Sequence, residues 1–405
     1  MRKETRRWIE LDRTYCWHPF TRQGEWCADG HEPLVLVEGK GVWLWDSEGR
    51  RYLDGNSSIW TNIHGHGHPL LLQALAEQSR RVAHTSFLGF THPGAAELAA
   101  QLCGFFVEGT LDRVFFSDNG STAVECALKM AVQYRMQCGQ PERRGFIAFA
   151  YGYHGDTLGA ASLGGVGRFF ERFRGLGYPV THVASMAELE QLDEAVVGTA
   201  AGVVIEPLVQ GVNEMRLWPK GMLVELRRWC DAHGVHLILD EVMTGFGRTG
   251  EMFACHWEAV APDFLCLAKG LTGGYLPMAA TLTTEEVYDA FLGDAGRAFY
   301  YGHSYTANPL GCELALASLE VFRRERTLEG LAAKEVVLGL ELSGLAARVG
   351  ERFCVAMRAH GVLTRPVLDT VVLMPPLCVT PDEIRYAVGA VDAVLSARPA
   401  WLDQA

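Results

Sequence analysis

The central part of the chain alternates two patterns. Short, largely apolar runs stand at Val114–Ser117, Phe146–Ala150, Gly202–Ile205, His236–Leu239, Phe264–Ala268 and Met278–Leu282. Their length and lack of polar alternation predict strands buried on both faces. Between them lie segments of helical period; 121–138 sets Ala123, Cys126, Ala127, Met130, Ala131 and Tyr134 on one face. Strands and helices in alternation predict an α/β fold, with a mainly parallel sheet from about residue 60 to 300. Ahead of it, Leu34–Val37 and Val42–Trp45 read as short strands joined by turn residues. Behind it, Pro309–Phe322 and Pro381–Ala397 read as helices and Val371–Met374 as a strand. The expected division is therefore 60–300 as a large domain. Residues 1–59 and 301–405 then form the two parts of a smaller α+β domain.

Composition narrows the class. A chain of 405 residues, 49% apolar and 21% charged, suits a globular protein of two domains. No apolar run reaches the roughly 18–20 residues of a membrane span, so no membrane partner is expected. A net charge of −12 argues against a nucleic-acid partner. Basic residues near the start, such as Arg6 and Arg7, have no apolar stretch behind them, and Glu4, Glu10 and Asp12 interrupt them. A cytoplasmic protein is expected. The cysteines form no C-x-x-C pair and read as small buried hydrophobes in a reducing compartment.

Candidate chemistry begins with the lysines, which are few: Lys3, Lys40, Lys129, Lys220, Lys269 and Lys334. Lys269 closes the apolar run 264–268 and opens Gly270-Leu271-Thr272-Gly273-Gly274. An amine at a buried strand end is desolvated, which lowers its pKa and makes it a nucleophile toward an aldehyde. A lysine snorkelling from a strand end has the same local pattern. Strand 236–239 ends in Asp240-Glu241, where α/β sheets place their ligands. A carboxylate there can keep a pyridinium nitrogen protonated; a helix cap or solvated pair is the plainer alternative. Ser117-Asp118-Asn119-Gly120-Ser121-Thr122 joins a strand to a helix, and its free N–H groups and hydroxyls suit a phosphate or simply cap the helix. Gly302-His303-Ser304-Tyr305-Thr306 is a second small polar stretch. Glycines flank Tyr153, so its ring can approach a flat ligand or pack on the core.

Two motifs read as decoys. Gly245-Phe246-Gly247-Arg248-Thr249-Gly250 fits G-x-G-x-x-G, but five residues separate it from its strand and no helical pattern follows. His64-Gly65-His66-Gly67-His68 has no acid or cysteine at ligand spacing, so no metal is expected.

Taken together, these segments resemble the class-III (fold type I) pyridoxal-phosphate aminotransferases. The resemblance rests on Trp17-His18-Pro19-Phe20-Thr21, Asp54-Gly55-Asn56-Ser57-Ser58-Ile59-Trp60, Gly152-Tyr153-His154-Gly155-Asp156-Thr157, Asp240-Glu241-Val242 with Thr244–Gly250, and Leu373-Met374-Pro375-Pro376. It spans about residues 15 to 395 and is nearest to the biotin-synthesis branch. The resemblance implies transamination of 8-amino-7-oxononanoate to 7,8-diaminononanoate by a homodimer with shared active sites. It implies that Lys269 binds the cofactor covalently and moves the proton, and that Asp240 pairs with the pyridine nitrogen. Gly120 and Ser121 would bind the phosphate, with Ser304 of the other subunit, and Tyr153 would stack on the ring. Arg365 would hold the substrate carboxylate, and Phe20, Trp60, Tyr153 and Gly302 would line the substrate pocket. Glu206 and Asp156 fall on family positions near the site.

This chain departs from the family at Phe20, Ile59 and Val372, where tyrosine, tryptophan and tyrosine are usual. The departures leave the amino donor open between S-adenosylmethionine and lysine. The chain is also shorter than the family pattern near 165–200 and 330–350. Another class-III ω-amino acid or diamine transaminase, or an aminomutase, shares the general motifs. A trimmed paralogue that binds only cofactor or a partner chain is the non-enzymatic reading.

Overall fold

A computed structural model describes residues 1–173, 175–331, 334, 338–341 and 348–402. The expected shortening near 330–350 falls largely outside these residues.

The six runs read as buried strands form one seven-stranded sheet together with a strand at Val180–Val183, which is partly exposed and which the apolar pattern does not mark. Its strands are β4 (Arg113–Ser117), β5 (Gly145–Phe149), β6 (Val180–Val183), β7 (Ala200–Ile205), β10 (His236–Asp240), β11 (Phe264–Leu267) and β12 (Ala279–Thr283), in spatial order β4-β12-β11-β10-β7-β5-β6. Every residue of β7, β10, β11 and β12 is buried. β12 alone runs antiparallel to its neighbours β11 and β4, so the other six strands share one direction. Their carboxyl ends meet along a single edge.

Before this sheet come β1 (Leu36–Lys40), β2 (Trp43–Asp46) and β3 (Arg51–Asp54), which pair antiparallel. β14 (Val362–Leu363) joins them beside β3, with Val362 opposite Leu53. The two ends of the chain therefore share one sheet. A ribbon of β8 (Val209–Gln210) and β9 (Arg216–Leu217) follows β7. Near the carboxyl end, β16 (Thr370–Leu373) pairs with both β13 (Leu338–Glu341) and β15 (Pro366–Val367).

The helix Gly120–Gln137 begins with a capping box: Thr122 N–H donates to Asn119 Oδ1, and Asn119 N–H donates to Thr122 Oγ1. Its buried face carries the alanines and Cys126 foreseen by its period. Small side chains let it lie close on the sheet, where Thr281 of β12 donates to the Ala123 carbonyl at 2.8 Å. Leu36–Lys40 lies two residues beyond the expected run, because its residues are largely exposed and apolar pattern does not fix it. No described helix is long and apolar enough to cross a membrane.

Candidate active site

A cavity of about 450 Å³ opens at the common carboxyl edge of the large sheet, a volume suited to a small ligand. Asp240 is the last residue of β10 and lies opposite Cys266 of β11 in the parallel ladder. Lys269 follows β11, so the register brings the two residues to one wall. Lys269 has φ of +40°, a conformation that side chains other than glycine rarely adopt. Its amine sits over the Trp60 ring, 4.9 Å from the centroid. Burial lowers the pKa of this amine; Asp240 and Glu206 oppose that, and the Arg248 charge adds to it.

The two acids of the Asp240-Glu241 pair point to different tasks. Asp240 faces the cavity and accepts from Val242 N–H at 3.1 Å; its Oδ2 lies 2.8 Å from His154 Nδ1. Glu241 turns into the protein, where Ala254 N–H, Cys255 N–H and the Thr244 hydroxyl donate to it. It anchors the following loop. His154, within the Gly152–Thr157 motif, is a site residue that the sequence pattern does not single out. Its position between Tyr153 and Gly155 is the signal that could have found it. Burial pushes the His154 pKa down, but the hydrogen bond and charge of Asp240 outweigh it and leave the pKa raised.

Glu206, just past β7, is buried at the cavity and accepts from Tyr153 N–H at 3.0 Å and Gly211 N–H at 2.9 Å. Burial raises its pKa. Tyr153 donates its phenol to Asp156 at 2.7 Å, and burial raises the phenol's pKa.

Gly120 and Ser121 border the cavity at the first turn of helix Gly120–Gln137. The cap consumes the Thr122 N–H, leaving the N–H groups of Gly120 and Ser121 for an anion. A side chain at Gly120 would put Cβ only 2.6 Å from Val242 Cγ1, so only glycine permits this approach. Ser121 Oγ accepts from Asp156 N–H at 3.1 Å, which ties the two motifs together.

The structure thus gathers Lys269, Asp240, Tyr153, Gly120, Ser121 and Trp60 around one cavity, with Glu206. It does not gather the rest. Gly302, Ser304 and Arg365 are exposed and outside the cavity wall of the single chain. Arg365 is near enough to Tyr153 for its charge to favour the ionised phenol. Phe20 is exposed and reaches Tyr153 only through Phe169, at 5.6 Å edge-on. Ile59 is exposed and Val372 is fully buried behind Trp60 and Met243. Neither borders the cavity. The wall instead includes Val212, Met243 and Met278, apolar residues with no motif to mark them.

Trp60 reaches the cavity from an unusual turn. Ser57, Ser58, Ile59 and Trp60 all have positive φ, at 44°, 49°, 73° and 66°. Left-handed backbone costs roughly 1–2 kcal/mol per such residue. The turn is held by Ser58, which donates N–H and hydroxyl to Asp54, and by Trp60 Nε1, which donates to Asn56 Oδ1 at 2.9 Å.

The decoys have structural tasks. His64, His66 and His68 contact Ser318, Asp54 and Glu325 respectively; the His64 and His68 rings lie 6.0 Å apart, while His66 turns to Asp54. Gly247 and Gly250 shape a loop, with φ of 81° and 99°, around the fully buried Arg248.

The profile of the class-III aminotransferase family matches residues 27–351. The adenosylmethionine-8-amino-7-oxononanoate aminotransferase of Geobacter sulfurreducens is 42% identical, over 95% of this chain and 96% of that one. The solved structure of the like-named enzyme from Methanocaldococcus jannaschii has a TM-score of 0.92 at 35% identity, covering 97% of this chain and 99% of that one. A thermostable (S)-enantioselective omega-transaminase from Thermomicrobium roseum has a TM-score of 0.91 at 31% identity, covering 97% and 98%.

Proposed function

The chain belongs to the class-III aminotransferases and is a transaminase of fold type I, and from that premise we propose that it uses pyridoxal phosphate to convert 8-amino-7-oxononanoate to 7,8-diaminononanoate, a step of biotin synthesis. The carrying observation is the 42% identity, over nearly the whole of both chains, to a relative named for that reaction. Backbone shape does not decide it, since TM-scores of 0.92 and 0.91 hardly separate two activities.

The residues present fit the cofactor. A lysine, a carboxylate and two free helix N–H groups border one cavity, and Gly120 leaves room that any Cβ would fill. When bound, pyridoxal phosphate supplies an aldehyde carbon that captures amines and a ring that takes up electrons. Gly120 and Ser121 hold its phosphate through backbone N–H groups at the positive end of the helix. Asp240 presents a carboxylate to the ring nitrogen, and His154 fixes that carboxylate from behind. Tyr153 and Val242 border the space for the ring. Lys269, desolvated and near Trp60, has its amine shifted toward the neutral form. It would serve as the acid–base group that takes up and returns the proton of the substrate carbon. Arg365 holds the carboxylate of the keto acid, and Ser304 of a second copy completes the phosphate site.

S-adenosylmethionine, in the name of the relatives, is the proposed amino donor. Phe20, which lacks the hydroxyl usual in the family, favours lysine as the second reading. The test is turnover of 8-amino-7-oxononanoate by the purified protein with each donor. Formation of 7,8-diaminononanoate is expected, with a loss of roughly 10²–10⁴-fold or more in Lys269→Ala. No product with either donor, but turnover of ornithine or β-alanine, would move the chain to the ω-amino acid branch. Each donor alone, followed through the visible absorbance of the bound cofactor, identifies the amine that reacts first.

A further inference from the structure

Glu125 has no part in the reading above and lies outside the cavity wall. It stands one turn beyond Ser121 on helix Gly120–Gln137, on the same face. Its side chain is partly buried, and Lys129, one turn further on, turns to the Tyr301 ring at 4.3 Å. A single oxygen of Glu125, Oε2, takes two bonds from the chain beyond Tyr153. The Thr157 hydroxyl donates to it at 2.7 Å and Ala160 N–H at 3.1 Å. Thr157 is the N-cap of helix Leu158–Ser162, and threonine commonly caps its own helix. Here its hydroxyl gives the helix no cap and is turned to Glu125. Glu125 therefore supplies the cap from a different element, and the result is a bridge between two parts of the chain.

The approach is close along the whole face. A Cβ at Gly155 would run into Ser121 Oγ, and one at Gly159 would run into the Glu125 carboxylate. Asp156 N–H donates to Ser121 Oγ, and the Tyr153 phenol donates to Asp156. Ser121 and Glu125 thus hold the segment 155–160 at two points of one helix face, and glycine stands at both. Of the groups joined in this way, Ser121 and Tyr153 border the cavity.

We propose that Glu125 is a positioning residue that fixes the Tyr153–Thr157 loop to helix Gly120–Gln137 and so sets the Tyr153 ring relative to Gly120 and Ser121 for cofactor binding. It acts through Tyr153. This rests on the transaminase reading of the cavity, not on the identity of the substrate.

Substitutions at Glu125 separate the bridge from its charge. Glu125→Gln keeps the length and an acceptor oxygen and should behave as wild type. Glu125→Asp keeps the charge but is one carbon short and should behave as Glu125→Ala. Glu125→Ala should weaken pyridoxal phosphate binding on the order of tenfold, read by titration of the visible absorbance. The visible circular dichroism of the bound cofactor should fall with it, since that signal reports how firmly an asymmetric wall holds the ring. Tyr153→Ala should show both effects, and the pair should match Tyr153→Ala alone. Multiplied effects overturn the proposal, as does a Glu125→Asp that behaves as wild type while Glu125→Gln fails. Hydrogen exchange in the cofactor-free protein reads the bridge without any ligand. In Glu125→Ala it should quicken at 153–160 and stay unchanged in β10; exchange that quickens throughout would mark a general loss of stability and also overturn the proposal. If Glu125→Ala does not fold, Thr157→Val, which removes the hydroxyl on the other side of the bridge, takes its place in the cycle. If wild type binds no pyridoxal phosphate, the reading of the cavity falls and this role with it. If wild type binds and Glu125→Ala binds equally well, the role alone falls.

Discussion

The chemistry at the cavity turns on which titratable groups share it. Lys269 meets two carboxylates, Asp240 and Glu206, and one buried guanidinium, Arg248. His154 meets the same two carboxylates from behind. Because its pKa is raised in the folded protein, His154 binds a proton more tightly folded than unfolded. Its stabilising contribution is therefore fully present below about pH 6.5 and is lost as pH rises through the folded value. In the cofactor-free protein, wild type should exceed His154→Gln in unfolding free energy most at pH 6, with the gap shrinking toward pH 9. Denaturant unfolding across that range checks this; a gap independent of pH would mean that the pair is held by shape alone. Lys269 and Asp240 were legible in the sequence because each ends an apolar run. His154 and Arg248 were not, since their partners, Asp240 and Pro375, lie far along the chain and only the fold brings them near.

At the scale of elements, the site depends on how closely helix Gly120–Gln137 approaches the turn after β10. Gly120→Ala places a methyl 2.6 Å from Val242 Cγ1. The helix itself should not suffer, since alanine favours helix over glycine by about 1 kcal/mol. The clash should instead appear as weaker pyridoxal phosphate binding, by roughly tenfold or more, measured by titration of the visible absorbance. Adding Val242→Ala should restore much of it; no restoration would place the fault in the helix and not in the contact. The central strands of the large sheet were legible because burial on both faces leaves unbroken apolar runs, whereas the partly exposed edge strand Val180–Val183 carries no such run. The reversed direction of β12 was not, because a strand's direction leaves no mark on its own composition. The turn 57–60 was not legible either: nothing in Ser-Ser-Ile-Trp announces four left-handed residues, and Asp54, Asn56 and Met374 impose them.

For the whole molecule, the exposed Trp17, Phe20, Tyr300 and Tyr305, together with a Ser304 that lies outside the wall of the cavity holding Lys269, support the proposed homodimer. If each site borrows Ser304 from the other subunit, two dead variants should revive on mixing. Lys269→Ala and Ser304→Asp homodimers, unfolded and refolded together, should yield mixed dimers in which one site carries both faults and the other none. Recovered activity supports a shared site, and its absence in proven mixed dimers argues for a site within one chain. The placement of β12 also bears on how the protein is made. β4 is synthesised early, yet its ladder partner runs through Ala279–Thr283, and β3 waits for Val362. Pairings so distant in sequence close slowly, since loop entropy must be overcome before they reward the chain. The first strand of the large sheet thus leaves the ribosome with a bare edge, open to aggregation until its partner, which ends at Thr283 of 405 residues, has been made. On this view the turn between β4 and helix Gly120–Gln137, which borders the cavity, takes its final place only after β12 has been made.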